Sequence, residues 1–128
     1  MMLTREIETL MQPPEEVLTE DNIKEYNART NDESGYELYS YLKDEKNSVL
    51  AFDRGWVIYN IKGKTCNVVS FYRAKESKHS AKRLWDAFKD LCRSKECEVV
   101  WMRTLIKPEF WDEHYGFELK GYLMECEL

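Results

Sequence analysis

The fourteen residues from Ser80 to Arg93 constrain this chain more than any other segment. Ala81, Leu84, Trp85, Phe88, Leu91 and Cys92 recur at helical spacing, while Lys82, Arg83, Asp86, Lys89, Asp90 and Arg93 fall mainly opposite. A helix with one apolar face needs an apolar surface to cover, and the flanking sequence supplies it. Upstream, Ser48–Asp53, Trp56–Ile61 and Thr65–Arg73 have the β-branched, period-two character of strands, joined by turns at Arg54-Gly55 and Lys62-Gly63-Lys64. Downstream, Val99-Val100-Trp101-Met102 is a short continuous apolar run of the buried-strand type. The expected core is therefore an antiparallel meander followed by a β-α-β crossover, which makes Thr65–Arg73 and Val99–Met102 parallel neighbours.

The ends are read from their punctuation. Ile7, Leu10 and Met11 suit a short helix from Thr4 to about Met11, which Pro13-Pro14 stops. Pro14 opens a second helix with Glu15 and Glu16 at its positive end, and Asn22–Ala28 continues as a third after Thr19-Glu20-Asp21. Residues 31–35 form a loop, and Tyr36–Leu42 fits helix or strand, with helix favoured. Near the other end, Pro108–Tyr115 is expected to be a short helix that Gly116 terminates, and Lys120–Glu127 a last strand. A chain of 128 residues is expected to form one domain, with a helical part at 1–47 and sheet and core helices at 48–128.

Composition excludes several function classes. Residues 1–50 carry five Lys/Arg against twelve Asp/Glu, so the net charge of −5 is concentrated in an acidic first half. Nucleic-acid binding needs a basic phosphate-facing surface and is not expected. The acidic half suits a basic partner or simply a solvated helical face. Cys66, Cys92, Cys97 and Cys126 form no C-x-x-C pair, and the two histidines do not complete a zinc pattern, so no metal is expected and the cysteines read as buried free thiols. No stretch is long and apolar enough to span a membrane, and the first residues lack a signal-peptide pattern, which leads us to expect a cytoplasmic protein.

The order of elements, together with the ending Phe110-Trp111-Asp112-Glu113-His114-Tyr115-Gly116-Phe117-Glu118, resembles the GCN5-related N-acetyltransferase (GNAT) superfamily over roughly residues 48–128. That resemblance implies an α+β fold with a mixed, mostly antiparallel sheet and helices on both faces. It implies acetyl-CoA as cofactor, held between two parting strands. The family's loop before the long helix has the pattern Q/R-x-x-G-x-G/A, whose backbone amides hold the pyrophosphate. Here the loop is Lys75-Glu76-Ser77-Lys78-His79-Ser80-Ala81, with both glycines replaced. Carried over by position, the cofactor contacts are Phe71, Tyr72, Arg73, Lys78, His79, Ser80, Ala81, Lys82 and Arg83, with positive charge standing in for lost geometry. A solvent-facing basic helix start is the plainer alternative for the same residues.

The family's acid is commonly a tyrosine in the short helix. Tyr115 is the only hydroxyl there and is the candidate catalytic residue, although its place beside Gly116 equally suits capping. No carboxylate base stands in Thr65–Arg73. The resemblance therefore carries two expectations: an N-acetyltransferase, or a catalytically inactive relative that binds another protein. The layout also resembles small GNAT-like phage proteins, which implies a virion-assembly, internal virion or host-modulating role, in host cytoplasm or virion.

Overall fold

The computed structural model describes residues 11–30, 32, 34–52, 54–74, 81–102, 118–120 and 123–128. In chain order these form α1 (Pro14–Val17), α2 (Glu20–Arg29), α3 (Tyr36–Lys43), β1 (Ser48–Phe52), β2 (Gly55–Lys62), β3 (Thr65–Arg73), α4 (Ala81–Ser94), β4 (Val99–Met102), β5 (Glu118–Lys120) and β6 (Leu123–Glu127). One six-stranded sheet has the order β1-β2-β3-β4-β6-β5. Only β3 and β4 run parallel; the other neighbours are antiparallel. Helices cover both faces, as the α+β expectation required.

Local chemistry sets the helix ends. The Thr19 hydroxyl oxygen accepts from the Asn22 amide at 3.3 Å, so α2 starts on a side-chain cap with Glu20 and Asp21 in its first turn. Before α3, Asp32 accepts from the Glu37 amide at 3.0 Å and from the Ser34 hydroxyl at 2.9 Å. At its far end the Asn47 side-chain amide donates to the Tyr41 carbonyl at 3.0 Å. These polar caps decide Tyr36–Lys43 for helix, where the apolar pattern alone fitted either state.

Alternation along the strands makes two cores. Leu50, Phe52, Val57, Tyr59, Cys66, Val68, Val100 and Met102 face α4, whose Leu84, Trp85, Phe88, Leu91 and Cys92 are buried against them. Ala51, Trp56, Ile58 and Tyr72 face the other way and join Val17 of α1, Tyr26 of α2 and Leu38 of α3. Each core is built round a fully buried indole, Trp85 in one and Trp56 in the other. Phe71 and Trp85 stack with centroids 5.0 Å apart; Trp56 and Tyr72 stack at 4.4 Å. Gly55 starts β2 because a β-carbon there would stand 2.5 Å from the Tyr72 carbonyl oxygen. All four cysteines are buried and free, and all four belong to the α4-side core.

Two expectations need correction. Lys120–Glu127 is not one strand but the end of a hairpin, with Lys120 paired to Leu123 and Glu118 to Glu125. The overlooked signal is Gly121-Tyr122, the two residues standing between the paired ends, a hairpin spacing with a glycine in it. Met11, expected at a helix end, instead forms an antiparallel bridge with Phe52, next to a Gln12 amide that donates to the Ala51 carbonyl at 2.8 Å. At Met11 itself, pairing with the β1 edge takes the place of the helical end that the spacing suggested. The rest of Thr4–Met11 and the whole of Pro108–Tyr115 lie outside the described residues. No helix among the described residues is long and apolar enough to cross a membrane.

Candidate cofactor wedge

The site is built by β3. Its ladder to β4 pairs Thr65 with Val99, Cys66 with Val100, Asn67 with Trp101 and Val68 with Met102. Among the described residues that ladder ends there, although β3 runs on to Arg73. The opposite ladder shows what changes at the same point. Ile58 pairs with Ser70 and Tyr59 with Val68, so Val69 is an extra residue in β3. Such a bulge bends the strand and increases its twist, which turns the second half of β3 away from the line of its first half. Inward and outward positions also exchange: Cys66 and Val68 face α4 before it, whereas Phe71 faces α4 after it.

The second half of β3 is fixed from the α2 side. The Trp56 ring nitrogen donates to the Ser70 hydroxyl at 2.9 Å, so the one polar side chain buried here has a partner. The Tyr72 hydroxyl donates to the Asn22 side-chain carbonyl at 3.2 Å. Arg29, at the end of α2, donates to the Arg73 carbonyl at 3.0 Å, lies 5.2 Å above the Tyr72 ring, and pairs with Glu25. Sequence inspection missed Ser70 and Arg29. For Ser70 a signal existed, a lone hydroxyl amid apolar strand residues; for Arg29 none did, since forty-four residues separate it from its partner.

Of the residues expected at the cofactor, Phe71 and Tyr72 are present at the wedge, but their rings are committed to Trp85 and Trp56. What these two can present to a ligand there is main chain. Ala81 begins α4, and Lys82 and Arg83 are exposed on its first turn, with Lys82 3.0 Å from Asp86. Lys78, His79, Ser80 and the candidate acid Tyr115 lie outside the described residues. Trp101 is 38% exposed, and because Val100 and Met102 are buried on the α4 side, its indole belongs to the opposite face beside Asn67.

Burial holds the Tyr26 phenol above its ordinary value, with a hydrogen bond to Ser70 acting the other way, so at neutral pH it keeps its proton and is no base. Among the described residues no group of three or more His, Cys, Asp or Glu is arranged to hold a metal ion. Among the described residues β3 pairs with β4 over four residues and runs on to Arg73, and α4 begins at Ala81.

No family model matches the sequence, and no curated protein matches it. Solved structures do. Tetrahymena Gcn5 superposes with a TM-score of 0.59 at 13% identity, covering 84% of each chain. Ard1 from Thermoplasma volcanium gives 0.54 at 16% identity over 97% of this chain and 92% of the other. This chain has the GNAT fold. A third GNAT structure, the PaiA N-acetyltransferase of Thermoplasma acidophilum in complex with coenzyme A, gives 0.47 at 14% identity, covering 89% of this chain and 82% of that one. At 84% and 97% of this chain, the likeness extends past residues 48–128 that first suggested it.

Proposed function

We propose that the chain binds an acyl-coenzyme A, acetyl-CoA in the first instance, between β3 and β4, and acts as an N-acetyltransferase. The observation that carries this reading is the coincidence of the Val69 bulge with the last β3–β4 pair among the described residues, Val68 with Met102. A bound acetyl-CoA would supply an activated acyl thioester. The chain's own part is to bind and orient: main chain of Phe71–Arg73 alongside the acyl arm, the start of α4 with Lys82 and Arg83 towards the phosphates, aided by Lys78, His79 and Ser80. Arg29 keeps the end of β3 in place from behind. Tyr115 is the residue to test as proton donor to the departing thiolate. Titration calorimetry with acetyl-CoA tests the reading directly. One-to-one heat with a raised melting temperature is expected, and no heat and no thermal shift at millimolar cofactor would remove it.

A second reading is favoured by one observation, that Lys78 to Ala81 stands where the family has glycines while Thr65–Arg73 holds no carboxylate. In it the chain has kept the GNAT fold without catalysis and works by binding a protein, as a phage assembly, internal virion or host-modulating factor would. Recovery of a stoichiometric partner from the native host or an infected cell, with no acetyl transfer, supports it. Acetyl transfer with no partner recovered overturns it.

A further inference from the structure

Across the α2-side face of the sheet runs a chain of side-chain amides. The Asn47 nitrogen donates to the Tyr41 main-chain carbonyl at 3.0 Å, the Asn60 nitrogen to the Asn47 oxygen at 2.9 Å, and the Asn67 nitrogen to the Asn60 oxygen at 3.2 Å. Its direction is fixed. A main-chain carbonyl only accepts, so Tyr41 decides which end of Asn47 faces it, Asn47 then decides Asn60, and Asn60 decides Asn67. One oxygen is left over, that of Asn67. It belongs to a half-buried residue, is accessible, and has no hydrogen-bond partner among the described residues.

Two features set the chemistry of that oxygen. Tyr41 lies in the last turn of α3, at the negative end of the helix dipole, and the three amides continue that dipole head to tail. Polarisation along such a chain strengthens its terminal acceptor, here Asn67. On β4, Trp101 stands directly opposite Asn67 and is 38% exposed. The α2-side core takes no buried residue from β4, so the packing of α1–α3 stops short of this corner. An N–H-bearing cation gains from both the oxygen and the indole face. A hydroxyl gains only the hydrogen bond, a quaternary ammonium only the ring, and a carboxylate is opposed by both.

We propose that Asn67 and Trp101 form a binding site for the primary ammonium of an alkyl amine, which donates to the Asn67 side-chain oxygen and lies against the indole. Asn47 and Asn60 are positioning residues: they touch no ligand, and they keep the Asn67 oxygen, not its nitrogen, available. The site adjoins the wedge, since Asn67 with Trp101 is the pair before Val68 with Met102. It needs no cofactor, so it stands or falls separately from the acyl-CoA reading.

The test titrates the full chain, without coenzyme A and at constant ionic strength, with butylammonium, butyltrimethylammonium, 1-butanol and butyrate. Nitrogen-15 shifts of the Asn67 side-chain amide and the Trp101 indole N–H report binding. Butylammonium is expected to bind most tightly, butyltrimethylammonium more weakly, and the alcohol and the acid least. In Asn67→Leu, butylammonium should lose about tenfold and butyltrimethylammonium little, so that the preference for N–H disappears. Asn60→Leu should erase the same preference without touching the ligand, whereas mere loosening of the fold would weaken both cations alike. Trp101→Leu should weaken both, and Trp101→Phe should retain them. No binding of butylammonium to the unaltered chain, equal or tighter binding of any of the other three probes, shifts that map away from Asn67 and Trp101, or a preference that survives Asn67→Leu would overturn the proposal. These readouts are independent of the acetyl-CoA titration, so each reading can fail alone.

Discussion

The Arg29 guanidinium donates to the Arg73 carbonyl at 3.0 Å while lying 5.2 Å over the Tyr72 ring, so one side chain of α2 closes the far end of β3. That side chain is 42% exposed, which limits its worth. Arg29→Ala is expected to destabilise by about 1 kcal/mol, through one charge-assisted hydrogen bond and a partly solvated cation–π contact. Urea denaturation measures the loss. Amide exchange at Ala74, which donates to Arg54 at 3.0 Å, should rise in the same variant if Arg29 anchors the strand end.

Ser70→Ala removes the acceptor of the Trp56 ring nitrogen, leaving a donor buried in the α2-side core. A cost of about 1–3 kcal/mol is expected. Thermal and urea unfolding check it. Trp56 fluorescence is too mixed with three other indoles to serve alone.

Gly55→Ala forces a β-carbon to 2.5 Å from the Tyr72 carbonyl oxygen, and the obstacle is main chain that cannot swing aside. Overpacking of this kind is expected to cost about 1–3 kcal/mol, read from urea midpoints. Gly63→Ala meets nothing in space but has φ +62°, so its smaller cost comes from backbone strain.

Stability should decline at alkaline pH. The Cys92 thiol is pushed up by its hydrogen bond with Cys66 and by burial, and burial raises Cys97 and Cys126 as well. In the unfolded chain these thiols titrate near pH 8.5, roughly, so above that pH the native state holds more protons than the unfolded one. Their contribution is complete below pH ~8.5 and is lost as pH rises, at up to about 1.4 kcal/mol per pH unit for Cys92 alone. Tyr26 and Tyr59, both raised by burial, add to the slope near pH ~10. Urea titrations on either side of neutrality and into the alkaline range test this, and a flat profile would contradict it.

Lys78→Glu combined with His79→Ala is expected to abolish coenzyme A affinity and to leave the melting temperature nearly unchanged. Calorimetry and differential scanning fluorimetry on the same preparation separate the two effects.

Much of this architecture was legible because strong patterns coincided with strong physics. Thr65–Arg73 has the boundaries its alternation implied and Val99–Met102 those of its continuous apolar run, and the Ser80–Arg93 pattern is α4 displaced by one residue. The hairpin at the end was hidden because Lys120–Glu127 reads as plausible strand throughout, and only Gly121 argued for a turn. The parallel pairing of β3 with β4 was foreseen, but the bulge in β3 was not. In β3 the burial pattern alternates without a break from Thr65 to Arg73, because both faces are covered; the extra residue at Val69 therefore leaves no trace in hydrophobicity.

The extra residue in β3 has a consequence for aligning this sequence with others of the same fold. From position 70 onward, a gap placed one residue away assigns every inward side chain to the wrong side, so alignments that ignore it would compare Phe71 with residues that occupy the place of Tyr72. At identities of 13–16%, such a slip removes about half the comparable positions in the strand that matters most. Superposed backbones are immune to it, which is how likeness of shape is seen where letter-by-letter comparison is silent.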